Sequence, residues 1–244
     1  MYYSQFGEDV LLAEIFGTKD KGLCVEVGAN DGVNDSTTMY FERIGWDCVL
    51  VEPNPFLCEE IKVKRTALLA EFAVSDKEGD VTLFVAEGAE RAHGVSTINS
   101  DIESLEKIKS YGFSYKEVQV KSKTLDNILD DLNVRGEIDF ISIDVEGHEL
   151  EALRGFSLGR WKPKIVLMED NSNYQDTVIR DYLKNFGYAR FKRTGVNDWY
   201  AHENHRDLVN IFSKSCYMLG LVRGRLKVKI KACVKKVLEK SRKN

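Results

Sequence analysis

Three stretches of this chain carry side chains whose types and spacing suit chemistry on a small ligand. The first is Cys24-Val25-Glu26-Val27-Gly28-Ala29-Asn30-Asp31-Gly32. The apolar run Leu23 to Val27 reads as a buried strand, and it breaks into a glycine-spaced turn before a helical pattern that begins near Ser36. Glycine lets a backbone approach a ligand with no Cβ in the way. The spacing is Gly28-x-x-x-Gly32 rather than G-x-G-x-x-G, and Glu26 precedes the first glycine by two positions. A pyrophosphate is held by bare amides at a helix N-terminus, whereas an acidic turn suits a cationic ligand. The sulfonium and ammonium groups of S-adenosylmethionine fit such a turn better than NAD does. Taken alone, the stretch also fits a tight β-to-α turn that binds nothing.

The second stretch, Ile138 to Glu149, is a strand ending at Asp144, then Val145-Glu146-Gly147-His148-Glu149. The third, Pro163 to Asn171, is a buried strand ending in Glu169-Asp170-Asn171. Strand ends in an open α/β sheet converge on one crevice where the strand order reverses. Asp144, His148, Glu169, Asp170 and Asn171 are therefore candidates for a single site. Oxygen donors of this kind suit Mg²⁺ or another divalent ion. Each acid alone also fits helix capping or loop support. His148 is the candidate base, because an imidazole titrates near neutrality, with Asp144 as the alternative. Glu52 ends a further apolar run, Asp47 to Val51, about twenty residues past the glycine turn, where an acid accepts hydrogen bonds from both ribose hydroxyls of an adenosine.

The elements that must position these residues are an alternation of strands and helices. A lead-in helix is expected over Met1 to Gly17, with Val10, Leu11, Glu14 and Ile15 as its stripe. Its polar start, Tyr3 to Asp9, reads either as helix capping or as a lid over the ligand site. Helix Pro55–Lys64 follows Glu52, and a third strand is expected from Leu68 to Val74, its end placing Ala73, Val74 and Ser75 beside an adenine. After strand Val81–Val85 comes a loop, Ala86 to Asn99, whose His93 reads as a solvated side chain. A helix from Ile102, a strand over Tyr115–Val120 of ambiguous face, and a helix capped by Thr124 lead to the second stretch. Beyond the third lie helix Thr177–Phe186, strand Tyr188–Arg193, an extended piece through His202 and a last strand at Leu208–Phe212. The short connection within this group predicts one antiparallel strand at that edge.

With 244 residues, 43% hydrophobic and 30% charged, the chain describes a soluble globular protein with one sizeable core. No stretch approaches a membrane span, and the N-terminus lacks the basic-then-apolar pattern of a secretion signal. Five cysteines without a C-x-x-C pair read as reduced thiols, so a cytoplasmic location is expected. The net charge of −4 hides an asymmetry: residues 214–244 hold eleven Lys/Arg and one acid, leaving 24 bases against 38 acids in residues 1–213. An acidic body argues against nucleic acid as a partner. We read residues 1–213 as one catalytic domain and 214–244 as a basic amphipathic tail. That tail suits either peripheral contact with an anionic membrane at its inner face or packing on the body or a partner.

The order of strands, turns and acids resembles the class I S-adenosylmethionine-dependent methyltransferases, and more narrowly the FkbM family. The resemblance rests on Tyr3-Ser4-Gln5-Phe6-Gly7-Glu8-Asp9, Val25 to Gly32, Val51-Glu52-Pro53-Asn54-Pro55, Ala73-Val74-Ser75-Asp76, Thr124-Leu125-Asp126 and Asp139 to Glu149. It implies an α/β, Rossmann-like, doubly wound, mostly parallel seven-stranded sheet. It also implies O-methyl transfer to a hydroxyl of a sugar, glycan or related natural product. Gln5, Glu26, Gly28, Asn30 and Gly32 would lie on the methionine side, Glu52 at the ribose, Ala73, Val74 and Ser75 at the adenine, and Asp144 beside the transferred methyl. Asp144, Glu169 and Asp170 resemble the metal positions of metal-dependent O-methyltransferases. Two readings from other classes stand beside this one: a NAD-dependent sugar-modifying enzyme, which would need the missing G-x-G-x-x-G, and a non-catalytic nucleoside-binding module.

Overall fold

The computed structural model describes residues 2–17, 19–89, 92–172, 175 and 177–208. Its elements in chain order are α1 (Glu8–Phe16), β1 (Leu23–Val27), α2 (Met39–Arg43), β2 (Asp47–Val51), α3 (Pro55–Lys64), β3 (Leu68–Ala70), β4 (Ala73–Val74) and β5 (Gly79–Glu87). They continue with α4 (Ile102–Ser110), β6 (Ser114–Lys123), α5 (Leu125–Asp131), β7 (Phe140–Ile143), α6 (Glu149–Arg154) and α7 (Leu158–Trp161). The last are β8 (Ile165–Glu169), α8 (Val178–Lys184), β9 (Tyr188–Thr194) and β10 (Asn197–His202).

Seven strands form one sheet in the order β3-β2-β1-β7-β8-β10-β9. Consecutive strands run outward from β1 to β3, and the order then reverses at β7, so the switch point lies between β1 and β7. Strands β1, β2, β7 and β8 are buried along almost their whole length, as parallel strands covered on both faces must be. One face packs Val25, Val49, Ile141 and Val166 against Leu125, Leu129, Leu153 and Phe156. The other packs Cys24, Cys48, Phe140 and Leu167 against Leu12, Phe41, Trp46 and Trp199. Cys24 and Cys48 lie side by side on β1 and β2, both buried, with Sγ atoms 3.1 Å apart and unbridged. The antiparallel strand expected at the far edge is β10, the inner member of the edge pair, hydrogen-bonded to β8 and β9.

Several sequence expectations are corrected. The third strand is not continuous from Leu68 to Val74. It pairs with β2 only as far as Val51↔Ala70, because β2 ends there in Glu52-Pro53 and offers no further partner. The chain then crosses to a second, three-stranded sheet, β4-β6-β5, in which Ala73 and Val74 run parallel to Ser122 and Lys123. In β6 the inward face is the one carrying Val118, Val120 and Ser122, with Glu117, Gln119 and Lys121 outside. The first helix begins at Glu8 and buries Glu8, Asp9 and Leu12, whereas Glu14 is exposed. Helix α2 starts at Met39 rather than Ser36, because Ser36 to Thr38 turn inward onto Glu26. Thr124 caps α5 as expected, its hydroxyl accepting the Asn127 N–H at 3.3 Å. Among the described residues no helix is long and apolar enough to cross a membrane. The strand expected at 208–212 lies almost wholly outside the described residues, and the basic tail entirely so.

Among the described glycines, the closest backbone approach is at Gly28. Its φ is +82°, and a Cβ built there would sit 1.8 Å from the carbonyl oxygen of Asp144. Gly28→Ala should therefore cost more than about 2 kcal/mol in urea unfolding, from the left-handed backbone and the clash together. Gly45→Ala, at φ +95° with nothing within 4 Å, should cost about 1 kcal/mol.

Candidate active site

The ends of β1, β2 and β7 open onto one cavity with about 1120 Å³ of free space, counting its mouth. It lies at the switch point, where open α/β sheets bind ligands, and its size suits a nucleoside-scale molecule. Val27, Gly28 and Asn30 come to it from the glycine turn, Glu52 and Pro53 from β2, and Asp144, Glu146 and His148 from the loop after β7. Leu83 of β5 and His93, Gly94, Ser96, Thr97 and Ile98 of the segment that follows β5 also line it. Leu57, Phe72, Ala73, Val74, Leu83 and Ile98 form an apolar slot at one side.

The two acids of the cofactor side have different surroundings. Glu26 borders the cavity, but its carboxylate is held by Ser36 Oγ (2.7 Å), Thr37 N–H (2.6 Å), Thr37 Oγ1 (3.0 Å) and Thr38 Oγ1 (2.5 Å). Arg65, itself paired with Glu42 at 2.6 Å, donates to Ser36 and Thr38 behind it. Glu26 thus fixes the turn from within. Glu52 accepts the Asn30 N–H on one oxygen and the Asn54 N–H on the other, each at 2.9 Å. A carboxylate oxygen takes more than one donor, so Glu52 keeps acceptor capacity for a diol. Burial pushes its pKa up to about 7, against the lowering effect of those two amides. Asn30, in the left-handed region at φ 53°, has a buried side-chain oxygen with no partner, which a ligand ammonium would satisfy.

The remaining predicted cofactor residues divide. Gly28, Asn30, Ala73, Val74 and Gln5 line the cavity. Gly32 does not; it packs on Ile61 and Arg65 and shapes the turn. Ser75 lies behind the wall, and its hydroxyl meets Nε2 of His148 at 3.1 Å. His148 is half-buried on the wall, with Nδ1 at 2.9 Å from Asn99 Oδ1, so both ring nitrogens are engaged. Burial lowers its pKa against the pull of Glu151 and Asp76. The segment between β5 and β6 grips this loop at three points: Asn99 on His148, Thr97 Oγ1 on the Glu146 carbonyl (3.0 Å) and Lys107 of α4 on the Glu146 carboxylate (2.6 Å).

Beyond the loop, Asp144, Glu149 and Glu169 bring one oxygen each within 4.8 Å of one another. Asp144 is exposed at the cavity. Desolvation by the protein around its carboxyl, and then the acids Glu169, Glu146 and Glu149, raise its pKa well above the carboxylate range. Glu169 is pushed up to about 7, by burial first and then by Glu146 and Glu149. Asp170, expected in this cluster, turns away to Ser172 and to Arg193 at 2.7 Å; these bonds outweigh its burial and hold its pKa down. Glu149 takes its place, one oxygen accepting the Val145 and Gly147 N–H groups at 3.2 and 3.0 Å. Sequence reading passed over Glu149 as a donor. The signal was its position two after Gly147, where an acid can fold back on the loop's amides.

Sheet order, glycine turn, ribose acid and acid-ended fourth strand of the large sheet together define a class I S-adenosylmethionine-dependent methyltransferase. A family model described as the methyltransferase FkbM domain matches residues 26–189, and this chain belongs to that family. A search of curated proteins finds no match. Among solved structures, the chain is similar to a TehB-like SAM-dependent methyltransferase from Corynebacterium glutamicum (11% identity, 81% of this chain, 88% of that one, TM-score 0.41). It is also similar to a precorrin-6y C5,15-methyltransferase from Geobacter metallireducens (13% identity, 79% and 84%, TM-score 0.39).

With Glu52 as the ribose acceptor, cofactor binding would be pH-dependent. Ribose hydroxyls donate to the ionised form, so binding would draw its pKa down from about 7 and release a proton when the pH is lower. S-adenosylhomocysteine should bind more tightly as pH rises to about 7 and level off above it. Calorimetry in buffers of different ionisation heat should register the proton, and Glu52→Gln should abolish it. In the free protein the same shift costs stability as pH rises from the ordinary carboxylate range to about 7.

Proposed function

We propose that this enzyme transfers a methyl group from S-adenosylmethionine to a hydroxyl of a sugar or glycan. The observation that carries the reading is the position of Asp144. Its carboxyl, with an oxygen within 4.8 Å of Glu169, stands on the wall of the same cavity as Glu52 and Gly28. When bound, S-adenosylmethionine supplies an electrophilic methyl group. The chain's tasks are then to orient the acceptor oxygen, exclude water and take up a proton. Orientation alone can contribute about 7–11 kcal/mol in good cases. The neutral amides and hydroxyls of Gln5, Asn34, Ser96 and Asn197 on the cavity wall suit a hydroxyl-rich acceptor.

The base in this proposal is Asp144 rather than His148. The imidazole has both nitrogens committed to Asn99 and Ser75 and holds the loop in shape. The carboxyl pair has an elevated pKa, which is what a base working near neutrality needs. Asp144, Glu149 and Glu169 also form a hard oxygen donor set that fits a divalent ion, and three acids this close, two of them buried, gain from a cation. An ion there would polarise the acceptor oxygen and lower the pKa of its hydroxyl.

The test is incubation with S-adenosylmethionine and a panel of neutral glycosides, glycans and nucleotide sugars, read by mass spectrometry for a gain of one methylene. Asp144→Asn should lower turnover about 10²- to 10⁴-fold while S-adenosylhomocysteine affinity stays within about threefold. Tight binding of NAD in its place would overturn the reading. Loss of turnover in chelator, restored by Mg²⁺, would place the ion in the reaction; indifference to chelator would leave the carboxyl pair to act alone.

A further inference from the structure

The family match spans residues 26–189, yet the cavity is completed by residues on both sides of that range. Residues 3–9 run across it with an anchor at each end. At the first, the Asp9 carboxylate accepts the N–H of Tyr3 (2.5 Å) and of Ser4 (3.3 Å) and the hydroxyl of Ser4 (2.6 Å), and Ser4 forms a parallel bridge to Asp35, just past the glycine turn. At the second, Glu8 is fully buried. One of its oxygens accepts the Phe6 N–H at 2.9 Å; the other accepts Thr194 Oγ1 at 2.6 Å and Asn197 Nδ2 at 3.1 Å. The Phe6 ring lies flush on Gly195, where a Cβ would come within 2.3 Å of it.

The anchors define where the segment passes. Asn197 is in register with Glu169 across β10 and β8, and Glu169 belongs to the carboxyl cluster that includes Asp144. One anchor therefore stands beside the glycine turn and the other beside the carboxyl cluster. Gln5 lies between them, and Gln5, Glu8 and Asn197 all line the cavity. On the methyltransferase reading, on which this inference rests, the methyl group moves from the first side to the second.

We propose that residues 3–9 are a strap across the point of methyl transfer. Gln5 is the group the strap presents to bound ligand, and Glu8 is the positioning residue that holds it there. A buried carboxylate is costly unless its acceptors are filled. Those of Glu8 are filled when the strap lies on the β9–β10 hairpin, so the closed position is specified. The Gln5 amide brings a donor and an acceptor into the closed cavity.

The full chain and S-adenosylhomocysteine test this. Dissociation is followed by stopped-flow fluorescence, and strap closure by hydrogen exchange at the amides of residues 3–9. Thr194→Val removes the hydroxyl that Glu8 accepts, Thr194→Ser keeps it, and Gln5→Ala trims an exposed side chain. Thr194→Val and Gln5→Ala should each release the ligand about tenfold faster. Exchange in the strap should quicken in Thr194→Val but not in Gln5→Ala, and Thr194→Ser should match the wild type in both readouts. Should Thr194→Val fail to fold, Asn197→Ala replaces it with the same expectation. Release unchanged within about twofold in these variants, with normal binding by the wild type, overturns the strap alone. No binding by the wild type overturns the methyltransferase reading and the strap with it.

Discussion

The close approach of Gly28 to the carbonyl of Asp144 is the constraint on which the rest of the site depends. It lets the turn after β1 and the end of β7 share one cavity at the switch point, and with them the two halves of the chemistry. On one side stand Glu52, Asn30 and the apolar slot; on the other stand Asp144 and its acidic neighbours. A side chain at position 28 would force these strand ends apart. The requirement is local, but what it permits is long-range: residues more than a hundred positions apart in sequence face the same ligand.

Around that contact, carboxylates acquire different roles through their partners and surroundings. Glu26 is filled by three consecutive hydroxyl-bearing residues and becomes a structural pin for the turn. Glu52 is held by two backbone amides and keeps capacity for further donors. Asp144, exposed at the cavity, stands among other acids, and desolvation with like charges nearby raises its pKa. Glu8 draws the strap onto the hairpin. The acid at each strand end is thus best understood by counting the donors it receives.

The fold was legible because its signals are periodic or local. Buried parallel strands read as unbroken apolar runs, Thr124 capped its helix as such residues do, and Gly28 marked a turn that only glycine fits. The split between β3 and β4 was not legible, since it depends on where a neighbouring strand ends. The same limit applies to the site. Glu26 and Glu52 look alike in sequence, and nothing local says that Ser36 to Thr38 fold back to occupy the first. Asp170 and Glu149 exchange places in the carboxyl cluster because Arg193, on β9, draws Asp170 away. His93, read as a solvated loop residue, is carried onto the cavity by the segment that follows β5.

A crystal structure of the chain with S-adenosylhomocysteine bound tests the central claim most directly. The account predicts the ribose hydroxyls on Glu52, the adenine in the slot of Leu57, Phe72 and Ile98, and the sulfur above Gly28 facing the Asp144 carboxyl. A ligand seated elsewhere, or one whose sulfur points away from Asp144, would contradict it.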